Sequence, residues 1–130
     1  MLIDTHAHLM MGEFKSDVDA VISRAREAGI TAIINVGYDI RSSRSAVSDF
    51  NQYPFIHPAC GIHPHDSASA TKESLKELED FGSLKKVVAI GETGLDYHYM
   101  NSNKNDQKKA LRHHIELAIK YEKPLLFHVR

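Results

Sequence analysis

The stretch KVVAIGETGLD, residues 86–96, decides the fold class of this 130-residue chain. From Val87 onward it is apolar at consecutive positions rather than at alternate ones, which is typical of a strand buried on both faces. Two carboxylates, Glu92 and Asp96, follow directly among glycines. A buried strand that runs into polar residues is expected in a parallel sheet covered by helices, with a functional site at the carboxyl ends of the strands.

Four further apolar runs have the length of strands, and four segments with helical periodicity separate the five runs. The five strands are predicted at Leu2–Asp4, Thr31–Val36, Phe55–Gly61, Lys86–Gly91 and Pro124–Val129. The helices are predicted at Asp17–Ala28, weakly around Ala46–Phe50, around Leu75–Phe81 with a stop at Gly82, and from about Asp106 to Glu122. This alternation predicts parallel strands joined by right-handed crossovers.

The same alternation places the chain in the α/β class. A complete eightfold β/α barrel needs roughly 250 residues, whereas this chain has 130. We therefore expect residues 1–130 to form one unit, the first five strands and four helices of an incomplete TIM-type barrel.

Composition and charge narrow the function classes. The net charge is −1 with the nine histidines neutral, so no basic surface indicates a nucleic-acid or membrane partner. Cys60 is the only cysteine, which excludes an intramolecular disulfide and is typical of a reducing compartment. The N-terminus lacks a signal-peptide pattern, and no apolar run reaches the roughly 18 residues of a membrane span. We expect a cytoplasmic protein with no membrane partner.

Two histidines enclose a single alanine in DTHAH, residues 4–8. Side chains two residues apart on a strand point to the same face, so His6 and His8 are able to hold one object between them. Asp4 shares their face, and we expect it to orient one of the two rings.

Imidazoles and carboxylates recur where other predicted strands end. Alternation puts Glu92 on the face of Val88 and Ile90, and it puts His128 on the face of Leu126. If these faces point into a barrel, both side chains meet the histidine pair of the first strand. Three neutral imidazoles and one carboxylate suit Zn²⁺, Mn²⁺ or a similar divalent ion.

Four motifs along the whole chain carry a resemblance to a known family. DTHAH (4–8), GIHPH (61–65), AIGETGLDYH (89–98) and FHVR (127–130) have the order and similar spacing of the signatures of TatD-like metal-dependent deoxyribonucleases, a branch of the amidohydrolase superfamily. One H-x-H motif alone is weak evidence. Four motifs in register are specific, and GETGLD is close to diagnostic.

The resemblance implies a role for each matching residue. His6 and His8 resemble the first-strand pair that binds one metal ion, Glu92 the carboxylate that bridges two ions, and His128 a ligand of the second ion. His63 and Arg130 resemble contacts to the substrate phosphate. The cofactors implied are two divalent ions, Zn, Mn or Mg.

The activity implied is hydrolysis of a phosphodiester, with DNA as the expected partner, by a water activated between two metal ions. Metal ions would neutralise the phosphate, so a basic protein surface is not required. The family also supplies a histidine from a sixth strand and an aspartate from an eighth strand. Neither matches a position among these 130 residues.

Alternative interpretations stay open at this point. The chain is either a hydrolase of this type, an amidohydrolase-type enzyme for a small ester or amide, or a truncated fragment without catalytic activity. An open barrel would expose strand edges, so a homo-oligomer or a C-terminal part that completes the barrel is a further expected partner. For single residues, His6 and His8 also fit a solvent-facing pair, His128 a core histidine, and Asp96 a turn cap.

Overall fold

The computed structural model describes all 130 residues, Met1–Arg130. Five parallel strands form one sheet, and their spatial order, β1-β2-β3-β4-β5, follows the chain. The strands are β1 (Leu2–Ala7), β2 (Ile30–Val36), β3 (Ile56–Cys60), β4 (Ala89–Leu95) and β5 (Leu125–Val129). The sheet curls into half of a TIM-type barrel, which confirms the predicted fold class.

One α-helix lies between each pair of successive strands. The helices are α1 (Val18–Glu27), α2 (Ile40–Ser48), α3 (Lys72–Ser83) and α4 (Lys104–Lys120). Two short 3₁₀ turns, Gly12–Phe14 and Pro64–Ser69, were not predicted. No helix of the chain is both long and apolar enough to cross a membrane.

Capping side chains define the first residues of three helices. The apolar periodicity alone predicted these boundaries less exactly. Asp39 and Ser42 form a capping box, so α2 begins at Ile40, six residues before the predicted Ala46. Asn103 accepts the backbone N–H of Asp106 and starts α4 two residues earlier than predicted. Thr71 caps α3 in the same way.

Three apolar clusters pack along the sheet, one of them formed by Leu9, Ile22, Ile33, Phe50 and Ile56. Between strands and helices, one large cluster is formed by Val47, Cys60, Ile62, Leu78, Val87, Ile90, Leu117 and Ala118. A smaller cluster, Val36, Ala59 and Ala89, packs with Ile34 and Leu126. Each fully buried aliphatic side chain contributes roughly 1.5–3 kcal/mol to stability. This packing fixes the strands and therefore the positions of the residues at their carboxyl ends.

Strand β4 begins at Ala89 and continues to Leu95, later than the predicted range of 86–91. Two glycines within it, Gly91 (φ +141°) and Gly94 (φ +153°), occupy a backbone region that side-chain-bearing residues rarely adopt. A Cβ at Gly91 would lie 2.5 Å from the carbonyl oxygen of Leu126, and one at Gly94 would collide with the carbonyl of His128. The glycines therefore let β4 and β5 approach closely.

Candidate metal centre

Glu92 lies at the centre of the histidines at the carboxyl ends of the strands, and it is buried, with 9% of its surface exposed. Its Oε2 lies 3.1 Å from Nε2 of His6 and 3.7 Å from Nε2 of His8. Its Oε1 lies 3.3 Å from Nδ1 of His128 and 3.7 Å from Nε2 of His63. The two oxygens of one carboxylate thus face two different pairs of imidazoles.

These separations fit the dimensions of divalent-metal sites. Ligand atoms about 2.0–2.1 Å from a tetrahedral ion lie about 3.3 Å from one another. The atoms of two groups, His6–His8–Glu92 and His63–Glu92–His128, all lie within 4.8 Å of one another within their group. The donor set, imidazole nitrogen with carboxylate oxygen, suits Zn²⁺ or Mn²⁺. The residues present therefore fit an ion held by His6, His8 and Glu92, and they place Glu92 and His128 side by side for a second ion.

Hydrogen bonds fix the tautomers of two rings. Nδ1–H of His8 donates to the carbonyl oxygen of Val36 at 2.6 Å, which leaves the lone pair of Nε2 facing Glu92. Nε2–H of His128 donates to Oδ2 of Asp96 at 2.9 Å, which leaves the lone pair of Nδ1 facing Glu92 from the other side. Such bonds to the far nitrogen are typical of histidines that bind metal.

The sequence predicted Asp96 only as a turn cap, and its contacts to two histidine rings were not predicted. Its carboxylate is fully buried, and Oδ2 accepts hydrogen bonds from the rings of both His65 (2.8 Å) and His128 (2.9 Å). Oδ1 accepts the backbone N–H groups of His98 and Tyr99, as the predicted turn cap would. The Tyr99 amide, with help from the His128 and His65 rings, holds the pKa of Asp96 well below its ordinary value.

A third group of possible ligands, His65, Asp96 and His128, is better explained as a hydrogen-bonded support. Its nitrogen–oxygen distances of 2.8 and 2.9 Å are those of charge-assisted hydrogen bonds. His128 takes part through Nε2 here and through Nδ1 towards Glu92, so it links the support to the candidate centre.

His63 precedes the Pro64–Ser69 turn and caps it. Its Nδ1 accepts the backbone N–H of His65 at 3.1 Å, so in the neutral ring the proton lies on Nε2, the atom that faces Glu92. Burial lowers the pKa of His63 to about 4, against the opposing effect of Glu92. A neutral Nε2–H group is a hydrogen-bond donor, which agrees better with the predicted phosphate contact than with metal ligation.

Arg130 lies at the margin of the centre rather than inside it. Its guanidinium carbon lies 4.8 Å from the centre of the Tyr99 ring, and that ring lies 5.5 Å from His65. The structure thus brings His6, His8, Glu92, His63 and His128 together and places Arg130 outside them.

Two expectations from strand alternation were wrong. Ile90 packs in the cluster between sheet and helices, so it does not share a face with Glu92. The pairing of β4 with β5 shifts register between Ile90 and Thr93, and this irregularity turns Glu92 towards the histidines. Asp4 does not orient a ring, because its carboxylate accepts the backbone N–H of His6 at 3.0 Å.

Comparison with known proteins agrees with this geometry. The model of the family described as "TatD related DNase" matches residues 3–130. The chain belongs to the TatD-related DNase family. Among curated proteins, it is 40% identical over 130 residues to an uncharacterized metal-dependent hydrolase, YabD, of Bacillus subtilis, covering 100% of this chain and 51% of the relative.

A second relative carries a more specific name. The "3'-5' ssDNA/RNA exonuclease TatD" of Edwardsiella piscicida is 34% identical over 130 residues, covering 99% of this chain and 50% of the relative. The crystal structure of YJJV, a TatD homologue from Escherichia coli K12, superposes with a TM-score of 0.91 at 30% identity, covering 99% of this chain and 51% of that one. The chain therefore spans about half the length of the TatD relatives that it matches.

Proposed function

We propose that the chain forms part of a two-metal site that hydrolyses phosphodiester bonds, with Glu92 as the carboxylate shared by the two ions. One observation carries the proposal: Oε2 of Glu92 faces His6 and His8, while Oε1 faces His128 and His63. A carboxylate between two pairs of imidazoles has no evident structural purpose in a strand, whereas it suits a pair of cations.

In this proposal the residues divide into ligands and supports. His6, His8 and Glu92 would hold one ion, and Glu92 with His128 would hold the other. Val36 and Asp96 keep the far nitrogens of His8 and His128 protonated, so that the near nitrogens present lone pairs. When bound, divalent cations would lower the pKa of a water molecule and neutralise the phosphate.

His63 and Arg130 would contact the substrate. The Nε2–H of His63 points towards the centre and stays uncharged over the physiological pH range, because burial lowers the pKa of the ring to about 4. It would donate a hydrogen bond to a phosphate oxygen without competing with the cations for a ligand position. Arg130 would supply a positive charge from the margin of the site.

A nucleic-acid substrate is the most specific form of the proposal. The Edwardsiella relative is named for the cleavage of single-stranded DNA and RNA. The net charge of this chain is −1, so a phosphodiester would be held by cations at the centre rather than by a basic surface. DNA ends are therefore the proposed substrate, with RNA as the close alternative.

Metal titration tests the shared carboxylate. Calorimetric titration of the metal-stripped chain with Mn²⁺ is expected to give about two ions per chain. Glu92→Gln keeps the shape of the side chain but removes its charge, and we expect it to weaken both binding events at least tenfold. Glu116→Gln, at an exposed position of α4, serves as the matched control. A single ion, or unchanged binding by Glu92→Gln, would contradict the two-metal proposal.

Activity assays separate the alternative functions. The metal-loaded chain is offered single-stranded DNA, bis(para-nitrophenyl) phosphate and a para-nitrophenyl ester. Turnover of the phosphodiesters supports the proposal, whereas turnover of the ester alone supports an amidohydrolase-type reaction on small substrates. Metal binding without any turnover supports the alternative of a chain that binds metal but does not catalyse the reaction by itself.

A further inference from the structure

The loop after β4 presents two exposed tyrosines, and a cationic side chain lies over each ring. Tyr97 is 38% exposed and Tyr99 is 53% exposed. Nζ of Lys104 lies 4.6 Å from the centre of the Tyr97 ring, and the guanidinium of Arg130 lies 4.8 Å from that of Tyr99. Aromatic rings interleaved with cations are typical of surfaces that bind single-stranded nucleic acids.

Hydrogen bonds hold this loop in place. The backbone N–H groups of His98 and Tyr99 donate to the buried carboxylate of Asp96. The N–H of Tyr97 donates to the carbonyl oxygen of Arg130 at 2.9 Å. The Tyr99 ring is therefore exposed on a backbone that is already fixed, which lowers the entropic cost of binding a ligand there.

The Tyr99 ring also adjoins the candidate centre. It contacts the His65 ring edge-on at a centroid distance of 5.5 Å, and the His65 ring lies 4.4 Å from His63 and 5.8 Å from His128. A group that stacks on Tyr99 would thus be separated by the His65 ring from His63, the side chain proposed to contact the phosphate. In a nucleic-acid strand, the group next to a phosphate is a nucleoside.

We propose that Tyr99, with Arg130 on its ring, is a stacking platform for the nucleobase next to the phosphodiester. The inference rests on the proposed function for its choice of ligand, but it adds a binding site that the metal ligands do not provide. A stacking platform recognises any base by its π-face, so it would favour unpaired strands without reading their sequence. Bases within a duplex are stacked on one another and cannot reach it.

Binding to a strand with and without bases tests the platform. The probes are a fluorescein-labelled oligodeoxythymidine and the same backbone made of abasic units, measured by anisotropy with the metal-stripped chain in chelator. The wild type is expected to bind the oligodeoxythymidine about fivefold to a hundredfold more tightly than the abasic strand. Tyr99→Ala is expected to abolish this preference, whereas Tyr99→Phe, which keeps the ring, retains it.

Phe127→Ala is the matched control, because Phe127 is an aromatic side chain of similar exposure (56%) on β5, beside His128 in sequence. It is expected to change neither dissociation constant by more than about twofold. Circular dichroism of Tyr99→Ala establishes that the fold is kept. Equal binding of the two strands by the wild type, or an unchanged preference in Tyr99→Ala, would overturn the platform.

Failure of the stacking platform can be distinguished from failure of the proposed function. The binding measurement needs neither metal nor turnover, so a preference lost in Tyr99→Ala supports the platform even if no phosphodiester is hydrolysed. Conversely, hydrolysis of bis(para-nitrophenyl) phosphate with equal binding of the two strands would keep the hydrolase and remove the platform.

Discussion

Asp96 accepts four hydrogen bonds although its side chain is fully buried: two from backbone amides and two from histidine rings. The carboxylate joins the loop that carries Tyr99 to the ring of His128. A single buried charge thereby orients both a proposed metal ligand and a proposed binding surface.

Asp96→Asn tests this positioning role. Asparagine has one accepting oxygen where aspartate has two, so it cannot accept from both the two rings and the two backbone amides. Its NH2 group then faces one of these pairs of donors, and the hydrogen-bond network that orients His128 is broken. We expect metal affinity to fall about 10- to 100-fold, measured by calorimetric titration. Asp80→Asn, at an exposed position of α3, is the control that should leave affinity unchanged. Equal affinities of the two variants would show that Asp96 only shapes its turn.

His114 gives the chain a pH-dependent stability that is independent of the centre. The ring is fully buried in α4; Nδ1–H donates to the Ala110 carbonyl, and Nε2 accepts the backbone N–H of Ile62 at 2.9 Å. Burial lowers the pKa of His114 to about 4 from an ordinary value of 6.5, and the neighbouring His113 acts in the same direction. In the unfolded chain the same ring takes up its proton near the ordinary value.

The sign of the pH effect follows from that difference. Between about pH 6.5 and 4 the unfolded chain binds one more proton at His114, so the stability present above pH 6.5 is lost as pH falls. The loss should be on the order of 3 kcal/mol. His114→Gln, which keeps an acceptor for Ile62 but cannot titrate, should show a shallower decline in urea unfolding at successive pH values. Parallel curves for the two proteins would contradict the assignment.

At the scale of residues, the sequence predicts which side chains lie together better than it predicts the hydrogen bonds between them. The proximity of His6, His8, Glu92 and His128 was predictable because they follow apolar runs at one end of a sheet whose strand order could be inferred. The bond between Asp96 and His128 joins residues 32 positions apart, and no local pattern contains it. The hydrogen bond from His8 to the Val36 carbonyl, which fixes the tautomer of His8, was not predictable for the same reason, because it spans 28 positions.

At the scale of elements, the β4–β5 pair determines whether the centre assembles. Gly91 and Gly94 allow the two backbones to lie closer than side chains would permit, and this brings His128 to Glu92. The strands were predictable from apolar runs, whereas the register shift at these glycines was not, because alternation assumes a regular strand.

Gly94→Ala tests the close approach. The new Cβ would meet the His128 carbonyl, and the positive φ is unfavourable for alanine. We expect a loss of roughly 2–4 kcal/mol in the free energy of unfolding, with weaker metal binding as β5 is displaced.

Gly12→Ala is the matched control, because a Cβ there meets nothing within 4 Å and its φ is not in the positive region. It should change stability by no more than about 0.5 kcal/mol. Both values come from denaturant titrations under the same conditions. If Gly94→Ala were as stable as Gly12→Ala, the close contact would not be a constraint.

At the scale of the whole molecule, the sheet has two open edges. β1 and β5 lie at the ends of the strand order, and their apolar side chains are exposed. They include Leu2 (58%), Ile3 (49%), Phe127 (56%) and Val129 (77%). The half-barrel architecture was predictable from the number of strands and the length of the chain, and so was the exposure of its edges.

Self-association should follow when the 130-residue chain is studied by itself. We expect sedimentation velocity to show a monomer fraction that falls as protein concentration rises, because unpaired edge strands and exposed apolar side chains favour pairing. Val129→Lys places a charge on the β5 edge and should raise the monomer fraction. A monodisperse monomer at every concentration would show that the half-barrel protects its own edges.

The spread of the histidines along the polypeptide has a consequence for biosynthesis. His6 belongs to the first strand and His128 to the last, and they meet only at Glu92. A nascent chain therefore lacks one of these donors until residue 128 has left the ribosome. An ion bound earlier would be held by His6, His8 and Glu92 alone, so an ion that is also bound by His128 would report that translation has passed the fifth strand.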